Sequence, residues 1–180
     1  RTLTHYYIMA NENGSQEQDI KTQAGKLLNS VAGYVGFRTI ELGMKTGLID
    51  GLSKHPEGIS AKDLATETNM DPFYVEVWCR SAYGAEVLDA GENGAYRLGH
   101  HMKTFLLDGD SPAYAGGVFE VLSQPEVFDQ FHKNFATGER TWWDKCSPAF
   151  IKGVGNAGKA FNNRLIPGGL NKIPGLPETL

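Results

Sequence analysis

Two closely spaced helix starts constrain the fold of this chain more than any other feature. Ser60 can cap a short helix, and Asp63 can return the hydrogen bond as in a capping box. Asp71 can cap a second helix, in which Pro72 suits the first position. The sequence therefore predicts a helix over residues 73–85. One face of it is expected to carry Tyr74, Val77 and Trp78.

Two short runs of strand-forming residues follow the second helix. Residues 87–89 and 95–98 flank a loop that contains Asn93-Gly94, a strong hairpin signal. Three further helical stretches are expected, over residues 100–107, 113–122 and 127–135. The order helix, turn, helix and hairpin is typical of a winged helix. The predicted fold class is mainly α, a winged helix-turn-helix with a small β-hairpin wing plus additional helices.

A helix with two apolar faces is predicted over residues 31–52. One face repeats at steps of three and four residues, through Phe37, Ile40, Met44, Leu48 and Leu52. A second row repeats at seven, through Val35, Leu42 and Ile49. The helix also contains four glycines, Gly33, Gly36, Gly43 and Gly47. Because each glycine costs about 1 kcal/mol relative to alanine, we expect close packing inside the domain or across a homodimer rather than a hinge.

Composition and charge exclude several classes of protein. The 180 residues are 41% hydrophobic and 21% charged, which is typical of a globular chain and not of a disordered tail, a collagen or a disulfide-rich scaffold. The net charge is −4, so long-range attraction to nucleic acid or anionic lipid is not expected. Neither a spanning apolar stretch nor a secretory signal is evident in the sequence, which predicts a cytoplasmic protein without a membrane partner.

The nucleophilic and metal-ligating residue types form no catalytic pattern. Cys79 and Cys146 are far apart without a neighbouring ligand, so we expect two reduced thiols. His100 and His101 would point about 100° apart on a helix, which makes them poor joint metal ligands. His132 stands alone. The sequence predicts neither a catalytic residue nor a metal site.

Several segments together resemble a known family. They are residues 58–65, the helix start Asp71-Pro72, residues 91–98, and the closing segments 165–170 and 173–176. In these features the chain resembles the N-terminal half of class I S-adenosylmethionine-dependent methyltransferases that carry a winged-helix dimerisation domain. The resemblance covers roughly residues 31–180.

The resemblance implies a parent protein that transfers methyl groups to a small-molecule acceptor. In such proteins the methyl donor S-adenosylmethionine binds a Rossmann-like domain that follows the linker and opens with a strand and an acidic-x-Gly-x-Gly turn. These 180 residues do not contain that domain. We therefore expect them to bind no cofactor alone and to catalyse no methylation alone. The two apolar faces and the glycines of the 31–52 helix predict a homodimer through this helix.

The polar composition of the N-terminal segment and the resemblance together predict four parts of the chain. Residues 1–24 are a polar arm, flexible or ordered by a partner, and residues 25–108 are the winged-helix dimerisation domain. Residues 109–166 form a helical connector that covers the substrate, and residues 167–180 are a linker to the absent catalytic domain. The opening Arg1, where an initiator methionine is expected, indicates a trimmed chain or one that begins inside a longer protein.

One glycine motif imitates a nucleotide-binding loop. Gly153, Gly155 and Gly158 match G-x-G-x-x-G, and Glu178 lies about where a ribose-binding acid would be sought. The motif needs a buried strand before it, whereas residues 147–152 are too short and too interrupted for one. We therefore favour glycines in a helix or loop over a nucleotide site.

A winged helix also raises the alternative of a DNA-binding transcriptional regulator, since the second helix of such a motif commonly enters the major groove. Residues 60–103 contain seven acidic and only four basic side chains. The second helix contains two acidic residues, Asp71 and Glu76, and one basic residue, Arg80. At the tip of the wing, the negative charge of Glu92 would be repelled by phosphate. DNA binding is therefore the weaker alternative.

Aromatic side chains supply the candidate substrate pocket. Trp142 and Trp143 form the densest aromatic feature, and Phe150 and Phe161 follow at spacings that permit a cluster. Five residues are candidate walls of the acceptor pocket: Trp142, Trp143, Phe150, Tyr34 and Phe37. The alternative is ordinary core, because large aromatic side chains bury well in any fold.

Overall fold

The computed structural model describes residues 19–176, which are mainly helical, as predicted. The helices are α1 (Ile20–Thr46), α2 (Leu48–Leu52), α3 (Ala61–Thr68), α4 (Pro72–Gly84), α5 (Met102–Leu106), α6 (Gly116–Leu122), α7 (Asp129–Thr137) and α8 (Pro148–Gly168). Short 3-10 turns occur at Glu92–Gly94, Trp143–Lys145 and Leu170–Lys172. None of the helices described over residues 19–176 has the length and apolar composition of a membrane span.

A small antiparallel sheet accompanies the helices. Its strands are β1 (Ile59–Ser60), β2 (Leu88–Ala90) and β3 (Ala95–Leu98). They lie in the order β1-β3-β2, and the register pairs Leu88 with Leu98 and Ile59 with Tyr96. The hairpin of β2 and β3 was predicted to within one residue. The two-residue strand β1 was not, because it is too short to leave a pattern in the sequence.

Both predicted helix caps are present. The Ser60 hydroxyl oxygen accepts from the Asp63 backbone N–H at 3.1 Å, and this hydroxyl donates to Asp63 Oδ2 at 2.7 Å. Asp71 Oδ1 accepts from the Tyr74 N–H at 3.1 Å, and Pro72 occupies the first position of α4. The bonds from the Asp63 and Tyr74 N–H groups satisfy donors that a helix start otherwise leaves without a partner. They fix where α3 and α4 begin. Asp63 returns its bond to the Ser60 hydroxyl and not, as in a capping box, to the Ser60 backbone N–H.

The buried face of α4 differs from the predicted one. The buried side chains of this helix are Val75, Trp78, Cys79 and Ala82. The predicted partners of Trp78 point outward instead, with Tyr74 72% and Val77 46% exposed. At about 100° per residue the four buried side chains share one arc, and Tyr74 and Val77 lie beyond its edge. The prediction for Tyr74 and Val77 was wrong because the apolar character of a side chain does not by itself determine which face of a helix is buried.

The predicted 31–52 helix is two helices. It begins earlier than expected, at Ile20, and α1 ends at Thr46 because Gly47 has a left-handed φ of 79°. The chain then restarts as α2. Gly47 is therefore a helix break rather than a packing glycine, because a left-handed residue cannot continue a right-handed helix.

The chain divides into two compact units, residues 1–35 and residues 36–180. In the first unit the described residues form the N-terminal part of α1. In the second unit a single core joins α2, α3, α4 and the sheet, and its fully buried side chains include Ile49, Leu52, Leu64, Val75, Cys79, Val87 and Leu88. Ile40 and Met44 of α1 pack against this core.

Helices α6 and α8 approach each other closely in the second unit. A Cβ atom on Gly117 would overlap the backbone of Asn156, and a Cβ on Gly153 would lie 3.0 Å from Val121 Cα. The two glycines therefore set the separation of these helices.

The other predicted helices agree with the structure to different degrees. Helices α5, α6 and α7 lie at or within about two residues of the predicted stretches, except that α6 begins at Gly116 rather than residue 113. Helix α8 was not predicted as a single long element. Residues 20–24 of the expected arm belong to α1, and residues 1–18 lie outside the described part. The four-part division of the chain stays a prediction.

Candidate functional site

An apolar cavity of about 430 Å³ opens between α6, α7 and the start of α8. Such a volume lies within the range of about 300–1,000 Å³ that small-molecule sites occupy. The lining side chains all come from residues 121–150. They are Val121, Glu126, Val127, Phe131, Thr141, Trp143, Cys146 and Phe150.

The segment that follows α7 forms one rim of the cavity. Gly138 ends α7 in the left-handed conformation, with its N–H donating to Asn134 O at 2.8 Å. The Asn134 side-chain amide then donates to Thr141 Oγ1 at 3.0 Å. The 3-10 turn Trp143–Lys145 follows, and the Cys146 thiol donates to Trp142 O at 3.4 Å. The bond between Asn134 and Thr141 connects the rim to α7.

Glu126 joins the two sides of the cavity. The Ser147 N–H donates to Glu126 Oε1 at 2.7 Å, and the Ser147 hydroxyl oxygen caps α8 by accepting from the Phe150 N–H at 3.1 Å. Glu126 is only 4% exposed, and its second oxygen, Oε2, has no hydrogen-bond partner. The hydroxyl and the backbone N–H of Ser147 lower the pKa of Glu126, because both stabilise its ionised form.

The structure brings together two of the five predicted pocket residues. Trp143 and Phe150 both line the cavity, with ring centroids 6.0 Å apart. Trp142 lines a neighbouring open groove, which Phe135 of α7 also lines. Both indoles are more than 60% exposed, so neither belongs to a closed core. The alternative of ordinary core packing therefore does not describe Trp142 or Trp143 in this chain.

The other predicted pocket residues do not line this cavity. Phe37 stacks on Phe119 of α6, with ring centroids 5.2 Å apart. Tyr34 is 65% exposed and belongs to the first unit. Phe161 is exposed on α8 and also lies outside the cavity lining.

Sequence reasoning missed Glu126 and Cys146 as parts of the site. The contact between Glu126 and Ser147 spans 21 residues and follows no periodic pattern. One signal could have found the adjoining helix: Ser147-Pro148 is an N-cap followed by proline at the first helical position. That signal predicts where α8 starts, and hence the direction of Phe150.

A second cavity, of about 450 Å³, lies between α1 and α6 and is more polar. Two carboxylates and two amines line it, from Glu41, Lys45, Glu120 and Lys152. Glu41 pairs with Arg38 at 3.5 Å, and Glu120 accepts from the Asn156 side chain. Because its acids have partners within the chain, this cavity is the weaker candidate for a ligand site.

The glycine motif lies inside a helix. Gly153, Gly155 and Gly158 all belong to α8, so the expected helix or loop is confirmed as a helix. Backbone N–H groups in a helix interior donate within the helix and cannot cradle a phosphate. In the described residues 19–176 the last strand, β3, ends at Leu98, so no strand leads directly into this motif. The described residues therefore do not fit S-adenosylmethionine through a glycine-rich turn.

Metal-ligating side chains do not assemble in the described part of the chain, where no group of three or more could hold an ion. His100 and His101 lie closer than a helix would place them, with ring centroids 3.7 Å apart. The reason is that His101 precedes α5 in a left-handed conformation, with φ of 63°.

Both cysteines are free thiols, as expected. Burial, with a smaller contribution from the Glu76 carboxylate, raises the pKa of Cys79 to about 12. Cys79 is therefore an inert core side chain at neutral pH.

The charges of α4 do not favour the DNA-binding alternative. Arg80, the single basic residue of this helix, donates from Nε to Glu76 Oε1 at 2.8 Å. The Glu76 carboxylate beside Arg80 reduces the positive charge that this helix could present to phosphate.

Comparisons with known proteins identify the fold. No protein-family model matches the chain, and no curated protein matches it. Among solved structures, it is similar to N,N-8-amino-8-demethyl-D-riboflavin dimethyltransferase (RosA) from Streptomyces davawensis, with 18% identity and a TM-score of 0.62. It is also similar to PigF with SAH, with 16% identity and a TM-score of 0.60. A third similar structure is the S-adenosylmethionine-dependent methyltransferase SibL in its apo form, with 14% identity and a TM-score of 0.58.

The matches cover most of this chain but less than half of each solved structure. They cover 83%, 84% and 82% of this chain but only 46%, 48% and 47% of the respective structures. The chain thus spans about half the length of the structures that it matches. Over that half, it has a methyltransferase-like fold.

Proposed function

We propose that these residues form the part of an S-adenosylmethionine-dependent methyltransferase that dimerises and covers a small-molecule acceptor. The observation that carries the proposal is the fold likeness, which extends over more than four-fifths of this chain and less than half of each neighbour. We assign the methyl donor to the half of the fold that these residues do not match. The SAH in PigF supports a sulfonium donor for the parent protein.

The order of elements supports a winged-helix domain over residues 25–108. Helices α3 and α4 follow each other through a short turn, and the β2–β3 hairpin comes directly after them. The added strand β1 pairs with β3 on the side opposite β2, which attaches the hairpin to the start of α3. In this proposal the domain is a scaffold for dimerisation rather than a reader of DNA.

The cavity beside α8 supports a substrate-covering role for residues 109–166. Its walls are aromatic at Trp143 and Phe150, and it is open on one side. A wall of this kind contributes by holding the acceptor in one orientation, because methyl transfer requires the two reacting atoms to be in line. Its own residues then supply position and exclusion of water rather than chemistry.

Exposed apolar side chains on α1 support a homodimer. Val31 is 59% and Tyr34 65% exposed, and Leu27 is exposed on the same side of the helix. At about 100° per residue these three fall within one third of the helix circumference, a stripe of the kind that amphipathic helices bury. We propose that a second copy of the chain covers it.

Light scattering at several protein concentrations tests the dimer. The expected mass is twice 19.7 kDa, and Val31→Glu should shift it towards the monomer, because a charge in the buried stripe would lose its hydration. Asn29→Glu is the matched control, since Asn29 is exposed on the opposite side of α1 and should leave the dimer intact. A monomeric unmodified chain would count against the proposal.

The native gene product tests the methyltransferase assignment. We expect an intact mass of about twice that of this chain, given the length of the matched structures, and transfer of methyl groups from S-adenosylmethionine. Methyl transfer by the 180-residue chain alone would contradict the assigned division of labour.

A further inference from the structure

The polar cavity between α1 and α6 contains charged side chains that the chain does not fully pair. Its volume is about 450 Å³, and all of its lining residues belong to the second compact unit. Four of them are charged: Glu41, Lys45, Glu120 and Lys152. This cavity shares no lining residue with the apolar cavity beside α8. A molecule bound here would therefore occupy a separate space.

Glu41 supplies a carboxylate whose capacity to accept hydrogen bonds is unused. The residue is only 8% exposed, and its contact with Arg38 is an ion pair of 3.5 Å. Among the described residues, no group donates a hydrogen bond to this carboxylate. Because a mostly buried charge without hydrogen bonds is costly, a donor from a bound molecule would be favourable.

The carboxylate of Glu41 can be reached from the cavity. In the described part of the chain, the only fully enclosed side-chain nitrogen or oxygen without a partner is Glu126 Oε2, so the unbonded oxygens of Glu41 retain accessible surface. At about 100° per residue, Glu41 lies between Met44 and Lys45 around α1, and both of these neighbours line the cavity. This position directs the accessible part of the carboxylate into the cavity.

Two lysines supply the opposite charge. Lys45 of α1 and Lys152 of α8 are exposed side chains that line the cavity. Within residues 19–176, neither forms an ion pair or a side-chain hydrogen bond. An ammonium group has three donors and no acceptor, so both lysines can donate to a carboxylate that enters between α1 and α8.

The presence of both signs decides which class of ligand fits. A simple anion would be repelled by Glu41 and Glu120, and a simple cation would be repelled by Lys45 and Lys152. A zwitterion can present each of its charges to the opposite one. Glu120 is the less available acid, because its Oε2 already accepts from the side-chain amide of Asn156.

The remaining wall of the cavity is partly apolar. Met44 and Phe119 both line it. The Phe119 ring is held by stacking on Phe37, with ring centroids 5.2 Å apart. A ligand with an apolar group beside its charges would bury that group here.

We propose that this cavity binds a zwitterionic amino acid with an apolar side chain. The ammonium group of the ligand donates to Glu41, and its carboxylate accepts from Lys45 and Lys152. The apolar side chain of the ligand contacts Met44 and Phe119. This inference goes beyond the proposed function and does not depend on methyl transfer.

Three probe molecules with the same ring and chain length test the proposal. Phenylalanine carries both charges, phenethylamine carries only the ammonium group, and 3-phenylpropionate carries only the carboxylate. Titrations of the 180-residue chain are followed by the NMR shifts of the Met44 methyl group and the Phe119 ring, which localise binding to the cavity. We expect phenylalanine to bind at least about ten-fold more tightly than either analogue, the typical effect of a hydrogen bond to a charged group.

Variants of the two charges should affect different probes. Glu41→Gln should weaken phenylalanine and phenethylamine by at least about ten-fold without weakening 3-phenylpropionate. Lys152→Gln should weaken phenylalanine and 3-phenylpropionate but not phenethylamine. Lys159→Gln is the matched control, because Lys159 is an exposed lysine of the same helix outside the cavity lining, and it should change none of the three affinities. Circular dichroism checks that the variants fold.

Equal affinities of the unmodified chain for the three probes, no binding of phenylalanine, or shifts confined to other residues would overturn the proposal. This comparison needs no variant, so it decides the question even if Glu41→Gln fails to fold. A failure here leaves the mass and activity tests of the methyltransferase assignment untouched, because those tests do not depend on this cavity.

Discussion

The indole N–H of Trp78 donates to the backbone oxygen of Thr39 at 2.9 Å, in a buried bond between α4 and α1. The carbonyl of Thr39 lies one helical turn before Gly43, and the Trp78 ring fills the space that Gly43 leaves open. The same indole thus contacts α1 by a hydrogen bond and by packing. This contact fixes the C-terminal half of α1 against the core of the second unit.

Gly43→Ala should destabilise the chain. Its Cβ would overlap the Trp78 ring and lie 3.0 Å from Ile49 Cγ1, so we expect a loss of about 1–3 kcal/mol in the free energy of unfolding. Gly33→Ala is the control in the same helix, because nothing lies within 4 Å of its added Cβ. It should be neutral or stabilising by up to about 1 kcal/mol. Urea denaturation measures both, and equal midpoints would refute the packing role of Gly43.

Gly117→Ala should separate α6 from α8. The added Cβ would meet the backbone of Asn156, which cannot turn aside as a side chain can, so a loss of about 1–3 kcal/mol or more is expected. Gly155→Ala on α8 has open space around its Cβ and should stabilise the helix slightly. Thermal unfolding by circular dichroism compares the two variants. A Gly117→Ala chain as stable as Gly155→Ala would show that the helices are not in close contact.

The two thiols should react differently with iodoacetamide. At pH 8 we expect the native chain to take up one label, at the partly exposed Cys146, because Cys79 is buried with its pKa raised to about 12. After unfolding in urea both thiols should react. Intact-mass spectrometry counts the labels, and Cys146→Ser should abolish the native label. Native labelling of Cys79 would contradict its placement in the core.

Glu126 should contribute to stability in a pH-dependent way. Since its pKa is lowered in the folded chain, its contribution is present above the ordinary carboxyl pKa of about 4.3 and is lost as the pH falls through the lower folded value. Glu126→Gln does not titrate at this position, so the unfolding free energy of the variant should fall less steeply in acid. Urea midpoints at pH 7 and in the acid range measure this. Glu139→Gln should retain the steeper dependence of the unmodified chain.

Local signals predicted the first half of the fold well. Ser60 and Asp71 act on N–H groups three residues away, so their effect can be read from neighbouring letters. The hairpin depends in the same way on Asn93 and Gly94, whose positive φ values of 55° and 75° form the turn. These elements needed no knowledge of distant contacts.

Features decided by distant contacts were not predicted correctly. Gly43 and Gly47 look alike in the sequence, yet one accommodates Trp78 and the other ends α1. The face of α4 that is buried depends on what packs against it, and Tyr74 was assigned to the wrong side for that reason. Hydrophobic pattern alone does not encode these choices.

The candidate site was predicted in part. The density of aromatic residues at Trp142 and Trp143 pointed to a segment that lines two cavities, but only Trp143 lines the same cavity as Phe150. Glu126 enters the site through a hydrogen bond to Ser147 that only the folded chain creates. A lone glutamate beside a proline gave no signal of this.

The central claim is that these residues supply scaffold and cover but no site for the methyl donor. Isothermal titration calorimetry of S-adenosylhomocysteine into the 180-residue chain tests this claim most directly. The account predicts no stoichiometric heat of binding at micromolar concentrations of the chain. Saturable one-to-one binding in the micromolar range or tighter would contradict it.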